Sequence, residues 1–163
     1  MFAPIAFRDN LTSRLQILQP LVSMELGHDD GTMNLAQRAL EQLNAWPDLT
    51  AGPASCGTGR ALRSPCSEIV HFHSGSEADV HLTSPAIQRF SGDLSESTAI
   101  RVMPESPWVT VRLDCDADVD LLMSLVSVAL QAHQTPPPGS PPAADCNFCR
   151  VTVLPRDREG VHG

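Results

Sequence analysis

The stretch SEIVHFHSGSEADVHLT, residues 67 to 83, alternates apolar and polar side chains on either side of a segment rich in Gly and Ser. Such alternation predicts two β-strands, 67–73 and 79–83, joined by the turn SGSEA. The stretch also holds three of the six histidines of the 163-residue chain. Both the fold and the candidate site therefore depend on how these two strands pair.

Side chains alternate between the two faces of a strand, which sorts the residues of the first strand into two sets. Ile69, His71 and His73 are expected on one face. Val70 and Phe72 are expected on the other, where apolar side chains can pack against a core.

The second strand divides in the same way, with Asp79 and His81 on one face and Val80 and Leu82 on the other. If both apolar sets face the core, the register is fixed. The expected pairs are Phe72 with Val80, Val70 with Leu82, His73 with Asp79, and His71 with His81. Opposed residues in adjacent strands have Cβ atoms about 5 Å apart, so this register collects three imidazoles and a carboxylate on one patch.

The patch predicts a chemical site whose candidate catalytic residues are His71, His73, His81 and Asp79. An aspartate beside a histidine can fix the imidazole tautomer and make the histidine a general base. Three histidines and an acid are also sufficient ligands for Zn²⁺ or Fe²⁺. No spacing matches a defined metal motif, so the sequence assigns no metal ligand and no cofactor. Polar side chains on the solvent face of an ordinary sheet are the alternative.

Glu68 and Trp108 are the candidate substrate-binding residues. Glu68 begins the first strand and is expected on the face opposite His71, where it could cap a loop or bind an arginine. Trp108 could line a pocket, although a buried structural role is the more common one for a tryptophan.

Helical spacing of apolar residues predicts two main helices on either side of the hairpin. LAQRALEQLNAW, residues 35–46, has Thr32 or Asn34 as its cap and Pro47 as its stop. DADVDLLMSLVSVALQAH, residues 116–133, carries a broad apolar stripe and acids in its first turn, where the helix dipole favours them.

Two further strands complete the predicted fold. AIRVM, residues 99–103, and WVTVRL, residues 108–113, are separated by the turn PESP, and the second alternates as a half-buried strand does. Residues 47–65 are rich in Gly, Pro and Ser and are interpreted as a loop with at most one short strand. The expected fold class is α+β, with an antiparallel sheet of four to five strands packed against two main helices.

Composition shifts divide the chain into four parts. These are a loosely structured N-terminal segment (1–31), an α+β domain (32–133), a Pro-rich linker (134–145) and a C-terminal tail (146–163). In the tail, VTVL could pair as a strand. Cys146 and Cys149 form a C-x-x-C, which is half a zinc site or a redox pair if it has any role.

The charge balance excludes some partners. The net charge is −8 and there is no basic cluster, which disfavours nucleic acid and an anionic membrane surface. The N-terminus lacks the pattern of a signal peptide and no stretch approaches eighteen apolar residues. The cytoplasm is therefore expected, with all five cysteines reduced. A small-molecule ligand is the expected partner, and the oligomeric state is not indicated.

The order of these motifs resembles the luciferase-like domain, which is named for fungal luciferases and also occurs in small bacterial proteins. The resemblance covers roughly residues 34–133. The residues that carry it are Glu68, His71, His73 and His81, supported by Pro104, Trp108 and Val109. It implies the α+β fold and a histidine-lined pocket that acts on an organic small molecule, with oxidative chemistry suggested by the family name.

The chain also departs from the fungal members. They carry a Gly–Trp–Gly segment followed by a histidine, and an Ala–Pro–Arg turn before the last helix. This chain has RFSGDLSESTAI (89–100) and LDCDAD (113–118) at those places, so the histidine near position 99 and the arginine are absent. Light emission and oxygenation of a fungal luciferin therefore do not transfer. A small enzyme using the histidines and a non-catalytic ligand-binding or accessory protein both remain open.

Overall fold

The structure, a computed structural model, describes residues 33–134 and 145–152. The predictions for the N-terminal segment and for most of the Pro-rich linker lie outside the described residues. The helices are α1 (Leu35–Asn44), α2 (Ser84–Arg89), α3 (Ser91–Glu96), α4 (Asp116–Gln134) and α5 (Asn147–Thr152). The strands are β1 (Thr50–Pro53), β2 (Arg60–Arg63), β3 (Glu68–Phe72), β4 (Glu77–His81), β5 (Ile100–Val102) and β6 (Trp108–Arg112).

The strands form one antiparallel sheet in the order β1-β2-β3-β4-β6-β5. The predicted α+β class is confirmed, but the strand count of four to five is wrong, because the described residues form a sheet of six strands. The additional strand comes from residues 47–65, which form the hairpin β1–β2 instead of a loop. Four-residue strands such as TAGP and RALR are too short for alternation to reveal them.

One face of the sheet packs against α1 and α4, as predicted. Asn34 caps α1, its side-chain oxygen accepting a hydrogen bond from the Gln37 amide at 2.8 Å. At the start of α4, Asp118 accepts hydrogen bonds from the backbone amides of Asp114 and Cys115. The shared core is made of fully buried aliphatic side chains, among them Leu43, Leu62, Val70, Val80, Val109, Val111, Leu122 and Val126.

The register of the β3–β4 hairpin differs from the predicted one by two residues. The observed pairs are Val70 with Val80, His71 with Asp79, and Phe72 with Ala78. Apolar residues still pair with apolar residues, so a shift by two leaves the predicted faces unchanged. The turn is shorter than SGSEA, because Glu77 and Ala78 belong to β4.

A β-bulge in β3 overturns two predictions about its faces. Leu62 pairs with Val70 whereas the next residue, Arg63, pairs with Glu68, so Ile69 is an extra residue in β3. Ile69 is fully buried in the core instead of lying beside His71. Glu68 consequently turns to the face of His71, not the opposite one. A bulge reverses the alternation on one side of it, and the apolar pattern carries no signal of it.

The turn between β1 and β2 approaches the end of β3 closely. Gly57 and Gly59 both have φ near +80°, a conformation that side chains disfavour. A Cβ on Gly59 would lie 2.0 Å from the carbonyl oxygen of Phe72, whereas a Cβ on Gly52, in β1, would meet nothing within 4 Å. The turn can therefore reach β3 only with glycine at position 59.

We expect Gly59→Ala to lower the free energy of unfolding by about 2 kcal/mol or more, because the new methyl group clashes with backbone and the φ is strained. Gly52→Ala is the matched control and should change it by well under 1 kcal/mol. Urea unfolding of both variants tests this, and equal midpoints would contradict the close approach.

Candidate functional site

The second face of the sheet carries the predicted polar set. Its side chains are His71, Asp79, His81, Trp108 and Thr110, all of them buried. The strand β6 is therefore buried on both faces, not half-buried as its alternation suggested.

The C-terminal segment 145–152 packs on this second face through Asn147 and Phe148. The described part of VTVL ends the helix α5, so the suggested strand is wrong there.

Asn147 holds the segment through three hydrogen bonds in a site that is 1% exposed. Its side-chain oxygen accepts from the hydroxyl of Ser106 at 2.6 Å. Its side-chain nitrogen donates to the carbonyl of Trp108 and to the hydroxyl oxygen of Thr110, each at 3.1 Å. These bonds satisfy a polar side chain that would otherwise be costly to bury.

Asp79 takes part in the same contact. One carboxylate oxygen accepts from the hydroxyl of Thr110 at 2.7 Å, and the other accepts from the backbone amide of Phe148 at 3.0 Å. His73 Nε2 lies 3.7 Å from the second oxygen. Asp79 thus holds the C-terminal segment against the sheet and also lies beside His73.

Glu68 and His71 form the shortest contact between two predicted site residues, 2.8 Å from Oε2 to Nε2. Arg63 donates to Glu68 at 2.8 Å, and Ser55 donates through its amide at 3.1 Å and through its hydroxyl. Burial favours the neutral carboxyl, but the hydrogen bonds from Ser55, His71 and Arg63 outweigh it, so the pKa of Glu68 is lowered. Glu68 is therefore an ionised acceptor at neutral pH.

His71 is the neutral partner in this pair. Burial lowers its pKa, and the opposing effect of Glu68 does not restore it. Because a carboxylate can only accept, Nε2 of His71 carries the proton and Nδ1 carries the lone pair. Nδ1 lies 3.8 Å from Sγ of Cys56, in the β1–β2 turn.

His73 is held by a different partner. Its Nδ1 lies 2.9 Å from the carbonyl oxygen of Thr58, in the same β1–β2 turn, and must donate to it. In the neutral form of this ring the lone pair is on Nε2, which lies 3.5 Å from Sγ of Cys146. The ring stacks on Phe148 with centroids 4.4 Å apart.

His81 lies on the same face but has other neighbours. Its ring stacks on Trp108 at 4.5 Å and meets the ring of His133 at 4.4 Å. Burial, followed by the proximity of His133, lowers its pKa to about 4. Burial also lowers the pKa of His133, which donates to the carbonyl of His81 at 3.0 Å. The three imidazoles therefore share one face, but only two of them belong to the cluster of donor atoms described next.

Within residues 33–134 and 145–152, one group of metal-ligand side chains converges. It consists of Cys56, His71, His73 and Cys146, whose donor atoms all lie within 4.8 Å of one another. Sequence reasoning missed Cys56, which lies in the segment interpreted as a loop, and gave Cys146 no partner outside its C-x-x-C motif. The pair His-x-His was the available signal, but fifteen and seventy-three residues separate it from the two cysteines.

A cavity of about 60 Å³ lies beside this cluster. It is lined by Ser55, Cys56, Glu68, His71, His81, Trp108, Asp145 and Cys146. Four of the six predicted site residues thus line one cavity, whereas His73 and Asp79 lie outside its lining. Trp108 is 1% exposed and contacts the rings of both His71 and His81, which agrees with the structural role expected of a buried tryptophan.

The central segment of the chain is similar to a known family. Residues 67–129 match the family model of the Luciferase domain, which confirms the resemblance found in the sequence. The match begins at the β3–β4 hairpin and ends within α4, so it excludes α1 and Cys56. Neither the curated proteins nor the solved structures gave a match.

In the described part of the chain, no helix has the length and apolar character needed to span a membrane.

The lowered pKa of His81 predicts acid sensitivity. The pKa of a histidine in an unfolded chain is near 6.5. Between pH 6.5 and about 4, His81 is therefore protonated in the unfolded state and neutral in the folded state. The contribution of His81 to the free energy of unfolding is fully present above pH 6.5. It falls by roughly 3 kcal/mol as the pH drops through 4. We expect His81→Phe, which keeps a ring against Trp108, to show a smaller loss between pH 7 and pH 4.5 in urea unfolding. An identical pH dependence in both proteins would contradict the assignment.

We expect Asn147→Ala to release the C-terminal segment from the sheet, because it leaves buried partners unsatisfied at a cost of about 1–3 kcal/mol. The backbone amide of Phe148 should then exchange its hydrogen about 10–100-fold faster in NMR-detected exchange. Val151→Ala, at an exposed position of the same helix, is the control and should leave that rate unchanged. Unchanged protection in Asn147→Ala would show that the segment is held by other contacts.

Proposed function

We propose that this chain, which carries the luciferase domain in residues 67–129, is a small enzyme that acts on an organic small molecule at the cavity beside Glu68 and His71. The observation that carries the proposal is the 2.8 Å hydrogen bond between these two side chains. It orients a neutral imidazole and leaves the Nδ1 lone pair available on the side where Cys56 lies.

The chemistry follows from that lone pair. An oriented imidazole either removes a proton from a substrate or holds a metal ion that polarises it. In the first case the ionised Glu68 stabilises the imidazolium that forms, as a carboxylate does behind a catalytic histidine. Either way, the wall formed by His71 is the reactive side of the cavity.

The cavity restricts the part of the substrate that enters. A volume of about 60 Å³ accommodates a single functional group such as a hydroxyl or a carbonyl, not a whole ring system. The polar lining from Ser55 and Glu68 suits an oxygen-bearing group. The stacked rings of His81 and Trp108 supply a rigid wall that fixes the position of the entering group.

The small volume of this cavity favours a second function. Cavities that bind small molecules usually measure about 300–1,000 Å³, and this one is far smaller. The polar face is also covered by Asn147 and Phe148. These observations favour a non-catalytic binding or accessory protein, in which the buried polar groups hold the chain together.

A substrate screen separates the two functions. Phenols, hydroxy ketones and lactones are incubated with the full chain, and products and oxygen consumption are followed by mass spectrometry and an oxygen electrode. We expect turnover of at least one compound, and a loss of about 100-fold or more in kcat/KM for Glu68→Gln, which keeps the shape but not the charge.

Glu77→Gln is the matched control, because Glu77 lies at the half-exposed start of β4 and pairs with Arg101. It should retain full activity. If no compound is converted, or if both glutamine variants behave alike, the accessory role is favoured and the catalytic proposal fails.

A further inference from the structure

We infer that Cys56, His71, His73 and Cys146 bind one divalent transition-metal ion of the zinc class. Two sulfur and two imidazole donors are a common tetrahedral set for zinc, and soft sulfur ligands disfavour magnesium and calcium. The four donor atoms lie within 4.8 Å of one another in a part of the fold that is largely buried.

The distances between donor atoms match those that a zinc ion imposes. Zn–S bonds of about 2.3 Å and Zn–N bonds of about 2.0–2.1 Å at tetrahedral angles place sulfur and nitrogen about 3.5 Å apart. Cys146 Sγ lies 3.5 Å from Nε2 of His73, and Cys56 Sγ lies 3.8 Å from Nδ1 of His71. For these two pairs an ion would need to draw the donors together by only a few tenths of an ångström, and the remaining pairs lie within 4.8 Å.

The hydrogen bonds behind the two histidines supply a separate argument. Metal-binding imidazoles usually donate their second N–H to a carboxylate or a backbone carbonyl. His71 donates from Nε2 to Glu68, and His73 donates from Nδ1 to the carbonyl of Thr58. Each ring is thereby left with its lone pair on the nitrogen nearest one of the two cysteines.

The ligands come from three separate parts of the chain. Cys56 lies in the β1–β2 turn, the histidines lie in and just after β3, and Cys146 immediately precedes α5. Four protein donors complete a tetrahedron, so the ion would join the C-terminal segment to the sheet and add to the stability of the fold.

The inference shares His71 with the proposed function but does not depend on it. An ion held by the Nδ1 lone pair of His71 can bind without any turnover, and that nitrogen can act as a base only in the metal-free chain. Metal content therefore tests this inference, while product formation tests the other, and either can fail alone.

The first experiment uses the unaltered full chain. It is purified under reducing conditions, stripped with a chelator, reloaded with Zn²⁺ or Co²⁺, and freed of excess metal. We expect one zinc per chain by mass spectrometry of the metal. The cobalt form should show the strong visible absorption of a tetrahedral ion and a near-ultraviolet thiolate-to-cobalt band. Less than one tenth of an equivalent of zinc, or an octahedral cobalt spectrum without thiolate bands, would overturn the site.

Variants then test three of the four ligands. Cys56→Ser, His73→Asn and Cys146→Ser should each retain less than a third of the metal, whereas Cys66→Ser and Cys115→Ser, at exposed positions, should retain all of it. Circular dichroism shows whether each variant is folded. If a variant is unfolded, the cobalt spectrum of the unaltered chain alone tests the site.

Two further variants sharpen the assignment. Glu68→Gln should weaken zinc affinity by about 10–100-fold, because it removes the charge behind His71. Cys149 lies next to Cys146 but is not one of the four donors, so Cys149→Ser should keep the ion. A loss of metal in Cys149→Ser as large as in Cys146→Ser would overturn the four-residue set.

Discussion

The single extra residue in β3 is the constraint on which the rest of the site depends. Without the bulge, regular alternation would place Ile69 on the polar face and Glu68 on the helix-packed face. The first would remove an aliphatic side chain from the core, and the second would bury a carboxylate against α1 and α4. The bulge places both side chains favourably, and it also brings the carboxylate of Glu68 to the imidazole of His71, which it orients.

The polar face is then protected by the end of the chain. A sheet with helices on one face normally presents the other face to water. The alternative interpretation of the histidines, as polar side chains on a solvent-exposed face, assumes this arrangement. Here Asn147 and Phe148 supply the hydrogen bonds that buried groups such as Asp79 and Thr110 require. The result is a polar interior layer in which the tautomers of His71 and His73 are fixed by their neighbours.

The sequence predicts the outline of this arrangement and not its details. Periodicity over long segments gives α1 and α4, and alternation gives β3, β4 and β6 with the correct faces for His71 and Asp79. It does not give the bulge, because one inserted residue leaves no compositional trace. It does not give Cys56 or Cys146 as neighbours of the histidines, because only the folded chain brings a turn and a distant tail to the same point.

The outer strands have a consequence for association between molecules. The sheet ends on one side at β1, which has four residues and finishes with Pro53, and on the other at β5, which has three residues. Proline offers no amide hydrogen, and so short a strand presents few unpaired backbone groups. Within the described residues, neither border is a good template for a strand from another copy, so strand pairing between molecules at these two edges is disfavoured.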